Sequence, residues 1–377
     1  DLRQAGYQTA IVGKWHLGHG PGSDPAGFDH WRVLPGQGDY HDPELLGPDG
    51  PERHSGYVTD IITDLSLDWL RQRDPERPFL MMINHKAPHR PWEPDARHAE
   101  LYADVDIPEP ETFDDDHAGR AAALADLRMS MADLNETDLK QPVPDGLTPE
   151  QERSWRYQRY IKDYLRCVAS IDDNVGRVLD WVEAEGLTDD TVISYTSDQG
   201  FFLGDHGWYD KRLMYEESLR MPLLVSYPPL VRPGSTCADL VTNIDFAPTL
   251  LELAGVPLPE RLQGHSLIDS LSGRPPAEPQ RCVYYRYWEH LSEPHHVPAH
   301  FGVRTERYKL ICYLVPSPGG TGYTASEFEL YDLDQDRAEL VNRYHDPEYA
   351  PVVQDLLQQL RQRQLEVDDR DLVAQLP

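Results

Sequence analysis

Residues 191–200 read TVISYTSDQG, and this stretch decides the fold class. Its first six residues are β-branched or aromatic apart from one serine, which predicts a strand buried on both faces. The polar residues Ser197, Asp198, Gln199 and Gly200 follow where that strand ends. In a parallel sheet, ligands bind beyond the carboxyl ends of the strands, so these four residues are candidates for a functional site.

Two other stretches have the same arrangement. The short β-favouring run Thr9–Gly13 (TAIVG) leads directly into Lys14, Trp15 and His16, and the apolar run Phe79–Ile83 leads into residues 84–91, NHKAPHRP. Three polar segments therefore fall at the ends of three predicted strands. This agreement is stronger support for one shared site than any single segment gives.

Helical periodicity separates these strands. Further elements are predicted as a helix over 57–72, a helix over about 150–185, a strand at 223–227 and a helix over 243–255. The alternation predicts an α/β fold with a mostly parallel central sheet flanked by helices.

A Pro-rich stretch from about 256 to 280 indicates a domain boundary. The β-type runs beyond it cover 282–288, 301–304, 308–313 and 328–333, and a final helix is predicted over 350–364. We expect a catalytic domain over 1–260 and a smaller C-terminal α+β subdomain with an antiparallel sheet over 275–377.

Composition excludes several classes of protein. The net charge of −30 disfavours a nucleic-acid partner, which requires a basic face, and no apolar run approaches the roughly 18 residues of a membrane span. The four cysteines form no CxxC pair and allow one disulfide. The chain begins at Asp1 without Met or a signal peptide, so we expect its N-terminal segment to be absent.

The three polar segments suggest an anion site with a metal. Lys14 and His16 can stabilise anionic oxygens, although a K-x-H pair also occurs on ordinary surfaces. The carboxylate of Asp198 beside the amide of Gln199 suits a hard cation, although D-Q-G also fits a β-turn. His85, Lys86, His89 and Arg90 form a local positive patch.

The longer strings identify a family. Residues 6–18, GYQTAIVGKWHLG, resemble the second signature of the type I sulfatases of the alkaline phosphatase superfamily, G-Y-x-T-x-x-x-G-K-W-H-L-G. Residues 88–91, PHRP, resemble part of the sulfatase H-x-P-H-x-P stretch. Residues 197–225 resemble the sulfatase segment that supplies two metal ligands and then a catalytic lysine.

The resemblance implies specific roles. Asp198 and Gln199 would bind Ca²⁺, with Mg²⁺ as an alternative, and Lys211 would contact the sulfate. Lys14 and His16 would hold and tune a formylglycine nucleophile, and His89 would be the general acid. The expected pocket-lining residues are His85, which also fits a core or supporting role, and His206.

The nucleophile motif of the family, C-x-[PA]-x-R, does not occur in this chain. Cys282 and Arg286 have its spacing, but Tyr284 replaces the small residue or proline. In the family the motif and a metal-binding Asp pair precede the first signature quoted above, so we expect both before Asp1. The chain alone should then lack turnover, and the full-length protein would need a formylglycine-generating maturation enzyme.

Two segments indicate the substrate. Residues 210–216, DKRLMYE, and 284–289, YYRYWE, resemble the branch with N-acetylglucosamine-6-sulfatases and bacterial glycan-desulfating enzymes. A sulfated saccharide, N-acetylglucosamine-6-sulfate first, is the expected substrate, and a periplasmic or secreted location is favoured. The residues that would contact the sugar, or simply pack the subdomain, are Trp288, His295, His300 and Arg304.

Two other functions fit the same residues. One is a phosphodiester or phosphonate monoester hydrolase on this scaffold, and the other is a pseudo-sulfatase that binds glycans without catalysis. Comparing the activity on sulfate esters with the activity on phosphate esters distinguishes the first alternative from a sulfatase. A natural start near Asp1 would favour the second.

Overall fold

The structure, a computed structural model, describes residues 1–277, 279–316 and 323–371. Residues 278, 317–322 and 372–377 of the predicted second domain lie outside the described residues. The strands are β1 (Gln8–Lys14), β2 (His30–Leu34), β3 (Glu44–Gly47), β4 (Gly50–Arg53), β5 (Phe79–Asn84), β6 (Ile193–Thr196), β7 (Phe202–Leu203), β8 (Tyr209–Asp210), β9 (Leu223–Ser226), β10 (Cys282–Tyr287), β11 (His300–Thr305), β12 (Tyr308–Pro316) and β13 (Tyr323–Asp332). The α-helices are α1 (Val58–Gln72), α2 (Glu136–Leu139), α3 (Pro149–Ala184), α4 (Glu216–Leu219), α5 (Phe246–Leu253), α6 (Ile268–Leu271) and α7 (Ala350–Glu366).

The chain divides into two compact units. Unit 1 consists of Asp1–Pro108, Asn135–Thr191 and Leu251–Leu258. Unit 2 consists of Glu109–Leu134, Val192–Leu250 and Pro259–Pro377. The domain limits expected from the sequence, 1–260 and 275–377, stay a prediction.

Unit 1 contains a mixed sheet in the order β4-β3-β2-β1-β5. Strand β1 pairs in parallel with β2 and β5, which confirms the predicted parallel core, while β3 and β4 add an antiparallel edge. At the end of β1, a Cβ on Gly13 would lie 2.0 Å from the carbonyl oxygen of Asn84. Only glycine therefore permits this approach of β1 to β5, and the Asn84 amide donates to the Lys14 carbonyl across 3.1 Å.

One helix packs on this sheet and a second packs on the first, and both form where their apolar spacing predicts. Helix α1 packs on β1, β5 and α3 through a stripe that includes Val58, Ile62 and Leu67. Helix α3 begins at Thr148, whose side chain accepts from the Gln151 backbone in a capping box. The buried face of α3 also holds an ion pair of Asp163 with Arg166, 2.8 Å apart, which apolar periodicity does not predict.

Unit 2 is built on an antiparallel sheet in the order β10-β11-β12-β13, as the sequence predicts. Alternate residues of β12 point to opposite faces, so Leu310 and Cys312 pack under α7 while Ile311 and Tyr313 join a second core. Both faces of this sheet are consequently buried.

Strands β6 and β9 differ from the prediction. They pair with each other in antiparallel register, from Ile193 opposite Ser226 to Thr196 opposite Leu223, rather than extending a parallel sheet. A parallel pairing needs a crossover of a dozen or more residues, usually a helix, and the longest helix between β6 and β9 is the four-residue α4. The burial predicted for residues 191–196 is also wrong, because Ser194, Tyr195 and Thr196 of β6 are exposed.

Two expectations from composition can be compared with the structure. No helix among residues 1–277, 279–316 and 323–371 is long and apolar enough to cross a membrane. The one disulfide that the sequence allows does not form, since Cys167, Cys237, Cys282 and Cys312 are free thiols.

Candidate active site

In unit 1 the structure brings Lys14 and His16 together around one residue, Gln37. The Lys14 Nζ donates to Gln37 Oε1 across 2.6 Å, and Gln37 Nε2 lies 3.1 Å from His16 Nε2. Lys14 ends β1 and Gln37 follows β2, so the parallel pairing of these strands puts both residues at one sheet edge.

The predicted proton donor His89 lies beyond β5 at the same edge. Its Nδ1 is 2.8 Å from the Arg90 carbonyl oxygen, and its own carbonyl accepts from the Tyr40 hydroxyl across 2.5 Å. Because a carbonyl oxygen only accepts, Nδ1 carries a proton, and a proton that His89 gives to a substrate would come from Nε2.

The predicted positive patch around His89 is largely neutralised. Lys86 is only 3% exposed, and its ammonium lies 4.8 Å from the Tyr40 ring centroid. Arg90 forms a two-pronged ion pair with buried Asp138. Burial lowers the pKa of His85 to about 4, and its Nδ1 has no hydrogen-bond partner among the described residues. The sequence does not predict that Lys86 and Arg90 bind partners within the protein, because these partners are distant in the sequence.

In unit 2 the predicted metal ligands lie just after β6. Asp198 is exposed and Gln199 half-buried, and both offer oxygen donors of the kind that hard divalent cations prefer. Among the residues that the structure describes, no group of three or more His, Cys, Asp or Glu side chains forms a metal site. Their position is fixed by Gly200, whose N–H donates to the Ser218 carbonyl across 2.8 Å and whose Cβ, if present, would lie 2.0 Å from the Glu217 carbonyl oxygen.

The predicted sulfate-binding Lys211 follows a strained residue. Asp210 has a φ of +74° and is 2% exposed, and its Oδ1 accepts from the Lys211 backbone N–H across 2.8 Å. The same carboxylate lies 3.1 Å from the Arg212 guanidinium and 3.3 Å from His295 Nε2. Lys211 and the predicted sugar contact His295 are thus joined through Asp210.

The structure places His206 inside the protein. Its ring is fully buried, and its Nδ1 lies 2.9 Å from both Asp115 Oδ2 and an Arg120 nitrogen. Burial, with the charge of Arg120, lowers the pKa of His206 to about 4. Burial raises the pKa of the neighbouring Glu217 to about 7, and its Oε2 lies 3.9 Å from His206 Nε2. His206 therefore supports the loop between β7 and β8 from within.

The four predicted sugar contacts differ in accessibility. Trp288 is 70% exposed, and one face of its ring is covered by Arg286 at 3.5 Å from the centroid. His300 is fully buried, with its ring 5.2 Å from that of Tyr287, and burial lowers its pKa to about 4. Arg304 is held by both carboxylate oxygens of Glu216 at 3.3 and 3.1 Å.

Sequence reasoning missed several residues of these two groups. Gln37, Asp210 and Arg212 carry the contacts described above, yet none was singled out from the sequence. Asp210 and Arg212 flank Lys211 in the segment quoted for the family, and the two glycines around Gln37 mark a turn after a strand. The buried partners Asp115 and Arg120 lie in an acidic stretch with no motif, so no local signal points to them.

The chain belongs to the sulfatase family of sulfuric ester hydrolases. The sulfatase family model matches residues 2–256, and a second model, N-sulphoglucosamine sulphohydrolase, C-terminal, matches residues 204–366. The family assignment and the α/β fold expected from the sequence are confirmed.

Individual relatives agree with this assignment. A protein of Bacteroides thetaiotaomicron named N-acetylglucosamine-6-O-sulfatase is 39% identical over 98% of this chain and 72% of the relative. The human N-acetylglucosamine-6-sulfatase is 29% identical over 71% of this chain and 48% of the relative, so the chain spans about half its length. A solved structure of a protein with its substrate D-glucosamine-2-N,6-O-disulfate superimposes with a TM-score of 0.90, at 39% identity, over 98% of this chain and 82% of that chain.

Proposed function

We propose that the protein removes the 6-sulfate from N-acetylglucosamine-6-sulfate in a glycan. The observation that carries this proposal is the group of Asp210, Arg212 and His295 directly beside Lys211. Buried Asp210 and His295 hold the partly exposed Arg212 guanidinium in place for sugar hydroxyls, next to a lysine for the sulfate. The likeness to the Bacteroides N-acetylglucosamine-6-O-sulfatase supports the same substrate.

Charge stabilisation on the sulfate oxygens is assigned to Lys14 and Lys211. Ammonium groups held in place before the reaction stabilise oxygen charge that grows in the transition state. Asp198 and Gln199 would contribute oxygen ligands to a divalent cation, Ca²⁺ first and Mg²⁺ as the alternative. When bound, the cation acts as a Lewis acid on the sulfate.

Proton transfer to the departing sugar oxygen is assigned to His89. Its Nδ1 is hydrogen-bonded to the Arg90 carbonyl, so a protonated His89 presents its Nε2–H as the donor. Loss of that proton leaves a neutral ring whose Nδ1–H···O contact is unchanged. The contact thus holds the ring in one orientation before and after the transfer.

The nucleophile is assigned to a formylglycine, which sulfatases generally use and a maturation enzyme makes from Cys or Ser. When present, it would supply the oxygen nucleophile for the sulfur. His16 and Lys14 are the residues proposed to orient it. In the same family setting we propose a periplasmic or secreted location.

The sulfated sugar is assigned to the surface of Arg212, which buried Asp210 and His295 support from within, and the neighbouring sugar of the glycan is assigned to Trp288. An exposed indole face suits the apolar face of a pyranose ring, and the Arg286 guanidinium keeps that indole in place from behind. His85, His206 and His300 are assigned supporting roles because their rings are enclosed by the protein. Arg304 is assigned a supporting role because Glu216 holds it.

Purified full-length protein tests the reaction class. We expect a higher kcat/KM on p-nitrophenyl sulfate than on p-nitrophenyl phosphate or phenyl phosphonate esters. A higher rate on a phosphorus ester would favour a phosphodiester or phosphonate monoester hydrolase. Glycan binding without turnover on any ester, together with an upstream coding sequence that lacks the C-x-[PA]-x-R motif, would favour the pseudo-sulfatase.

A further inference from the structure

Gln37 lies at the centre of the unit 1 group, although no motif identifies it. It follows β2 in the tripeptide Gly36-Gln37-Gly38, and both glycines have positive φ, +54° and +68°. Such angles favour glycine, and they turn the chain sharply beyond the strand. Because β2 runs parallel to β1, this turn is at the sheet edge where Lys14 and His16 lie.

The orientation of the Gln37 amide is fixed by its two neighbours. A lysine ammonium only donates, so the atom 2.6 Å from Lys14 Nζ must be the amide oxygen. The amide nitrogen then faces His16 Nε2 at 3.1 Å. An amide NH₂ only donates, so His16 Nε2 must accept and cannot carry a proton.

We infer that Gln37 is a positioning residue that holds His16 as the neutral Nδ1–H tautomer with Lys14 beside it. This inference rests on the proposed roles of Lys14 and His16 at the reacting group. A proton on His16 Nε2 would face the amide N–H, donor against donor, so Gln37 opposes the imidazolium form. The positive charge of Lys14 opposes it as well.

The backbone of Gln37 is anchored by a second lysine, Lys86. The Gln37 carbonyl accepts from the Lys86 ammonium across 3.1 Å, and Lys86 is buried over the Tyr40 ring at 4.8 Å from the centroid. Tyr40 in turn donates to the His89 carbonyl. The turn that carries Gln37 is therefore linked to the segment of the proposed general acid, His89. These contacts fix the position of the Gln37 backbone, from which the side-chain amide extends.

Ring-nitrogen NMR on the 377-residue chain tests the tautomer without requiring turnover. The chain is labelled with ¹⁵N in its imidazole rings, and the His16 signals are assigned by their loss in His16→Gln. We expect wild-type His16 at pH 7.5 to show a protonated Nδ1 and an unprotonated Nε2. In Gln37→Leu the ring should shift toward the Nε2–H form that free histidine prefers.

Gln37→Glu should stabilise the imidazolium form of His16, which Gln37 opposes. A carboxylate accepts from an imidazolium, so the pKa of His16 should rise by about one unit relative to wild type. His19 is an internal reference, because its Nε2 accepts from the Gly36 backbone N–H at 3.2 Å and should keep its tautomer in Gln37→Leu. An Nε2–H tautomer in the wild type, an unchanged His16 in Gln37→Leu, or no pKa rise in Gln37→Glu would each overturn the inference. Failure of the sulfatase proposal alone would leave all three spectra unchanged.

Discussion

The backbone N–H of Lys211 donates across 2.8 Å to the side chain of the preceding residue, Asp210, whose own φ is +74°. A non-glycine residue in this region is strained, and the surrounding contacts must hold it there. Here the carboxylate that stabilises the turn also meets Arg212 and His295. One buried acid therefore fixes the direction of Lys211 and part of the proposed sugar surface.

Replacing Asp210 should impair turnover, because Asp210 fixes the position of Lys211. We expect Asp210→Ala to lower kcat/KM by at least about tenfold and to lower the melting temperature, since it removes the acid that faces buried His295 and one of the two carboxylates that hold Arg212. Asp210→Asn should retain more activity, because asparagine tolerates positive φ and its oxygen still accepts from Lys211. Steady-state kinetics and thermal unfolding measure both.

Exposed Asp334, also in unit 2, supplies the matched control for that pair of variants. Asp334→Ala should leave kcat/KM within about twofold of wild type, as surface substitutions generally do. Equal kinetics for Asp210→Ala and Asp334→Ala would contradict the assigned role of Asp210.

His89 and Lys211 should be essential for turnover but dispensable for folding. We expect His89→Ala to lower kcat by roughly 10²–10⁴-fold, the usual contribution of a general acid. Lys211→Ala should lower it by roughly 10²–10³-fold, as for loss of one anion-stabilising donor. Circular dichroism should match wild type for both.

The leaving group distinguishes these two variants. His89→Ala should lose least on p-nitrophenyl sulfate, whose phenolate departs readily without a proton, whereas Lys211→Ala should lose similarly on all esters. Near-normal rates in both variants would refute the assignments.

Three buried histidines should make the fold sensitive to acid. Burial lowers the pKa values of His85, His206 and His300 to about 4, against about 6.5 in an unfolded chain. As the pH falls below 6.5, these histidines take up protons in the unfolded state before they do so in the folded state. Their contribution to the free energy of unfolding is therefore complete above pH 6.5 and is lost progressively as the pH falls to about 4. Melting temperatures measured from pH 7 to 4 should fall.

His300→Phe tests that explanation, since phenylalanine keeps a ring between the neighbouring tyrosines but does not titrate. The variant should show a shallower fall in melting temperature between pH 6.5 and 4 than wild type. Exposed His19, replaced by glutamine, is the comparison. A fall as steep in His300→Phe as in His19→Gln would exclude His300 as a cause.

Trp288 should matter for the length of the glycan. Stacking on an aromatic ring contributes about 0.5–1.5 kcal/mol, so Trp288→Ala should raise KM for a sulfated oligosaccharide by roughly three- to tenfold. The effect on the monosaccharide should be smaller, and Trp288→Phe should recover part of the loss. Equal changes in KM for both substrates would argue against a stacking role beyond the sulfated sugar.

The sequence predicted the fold class and the chemistry-bearing segments because both depend on local patterns. Apolar runs located β1, β5 and the C-terminal sheet, and the polar residues after the strands located Lys14, His89 and Asp198. Partners distant in sequence could not be predicted that way. Gln37 meets Lys14 only through the pairing of β1 with β2, and His295 meets Asp210 only after unit 2 has folded.

Burial was also beyond local pattern. Periodicity predicts which residues share a face, but not whether a face is covered. The strand TVISYT was therefore expected to be buried, while the structure pairs it with β9 and leaves Ser194, Tyr195 and Thr196 exposed. His206 and His300 looked like pocket residues because histidine is polar, yet aromatic packing and ion pairs enclose both.

Release of inorganic sulfate by the purified full-length protein tests the central claim most directly. N-acetylglucosamine-6-sulfate and its C4 epimer, N-acetylgalactosamine-6-sulfate, would be compared at equal concentration, with sulfate quantified by ion chromatography. Because Arg212, held in place by Asp210, is proposed to bind the sugar hydroxyls, we predict rapid release from the first substrate and at least tenfold slower release from the second, about 1.4 kcal/mol of discrimination. Equal rates, or no sulfate released from either sugar by protein with verified formylglycine, would contradict the account.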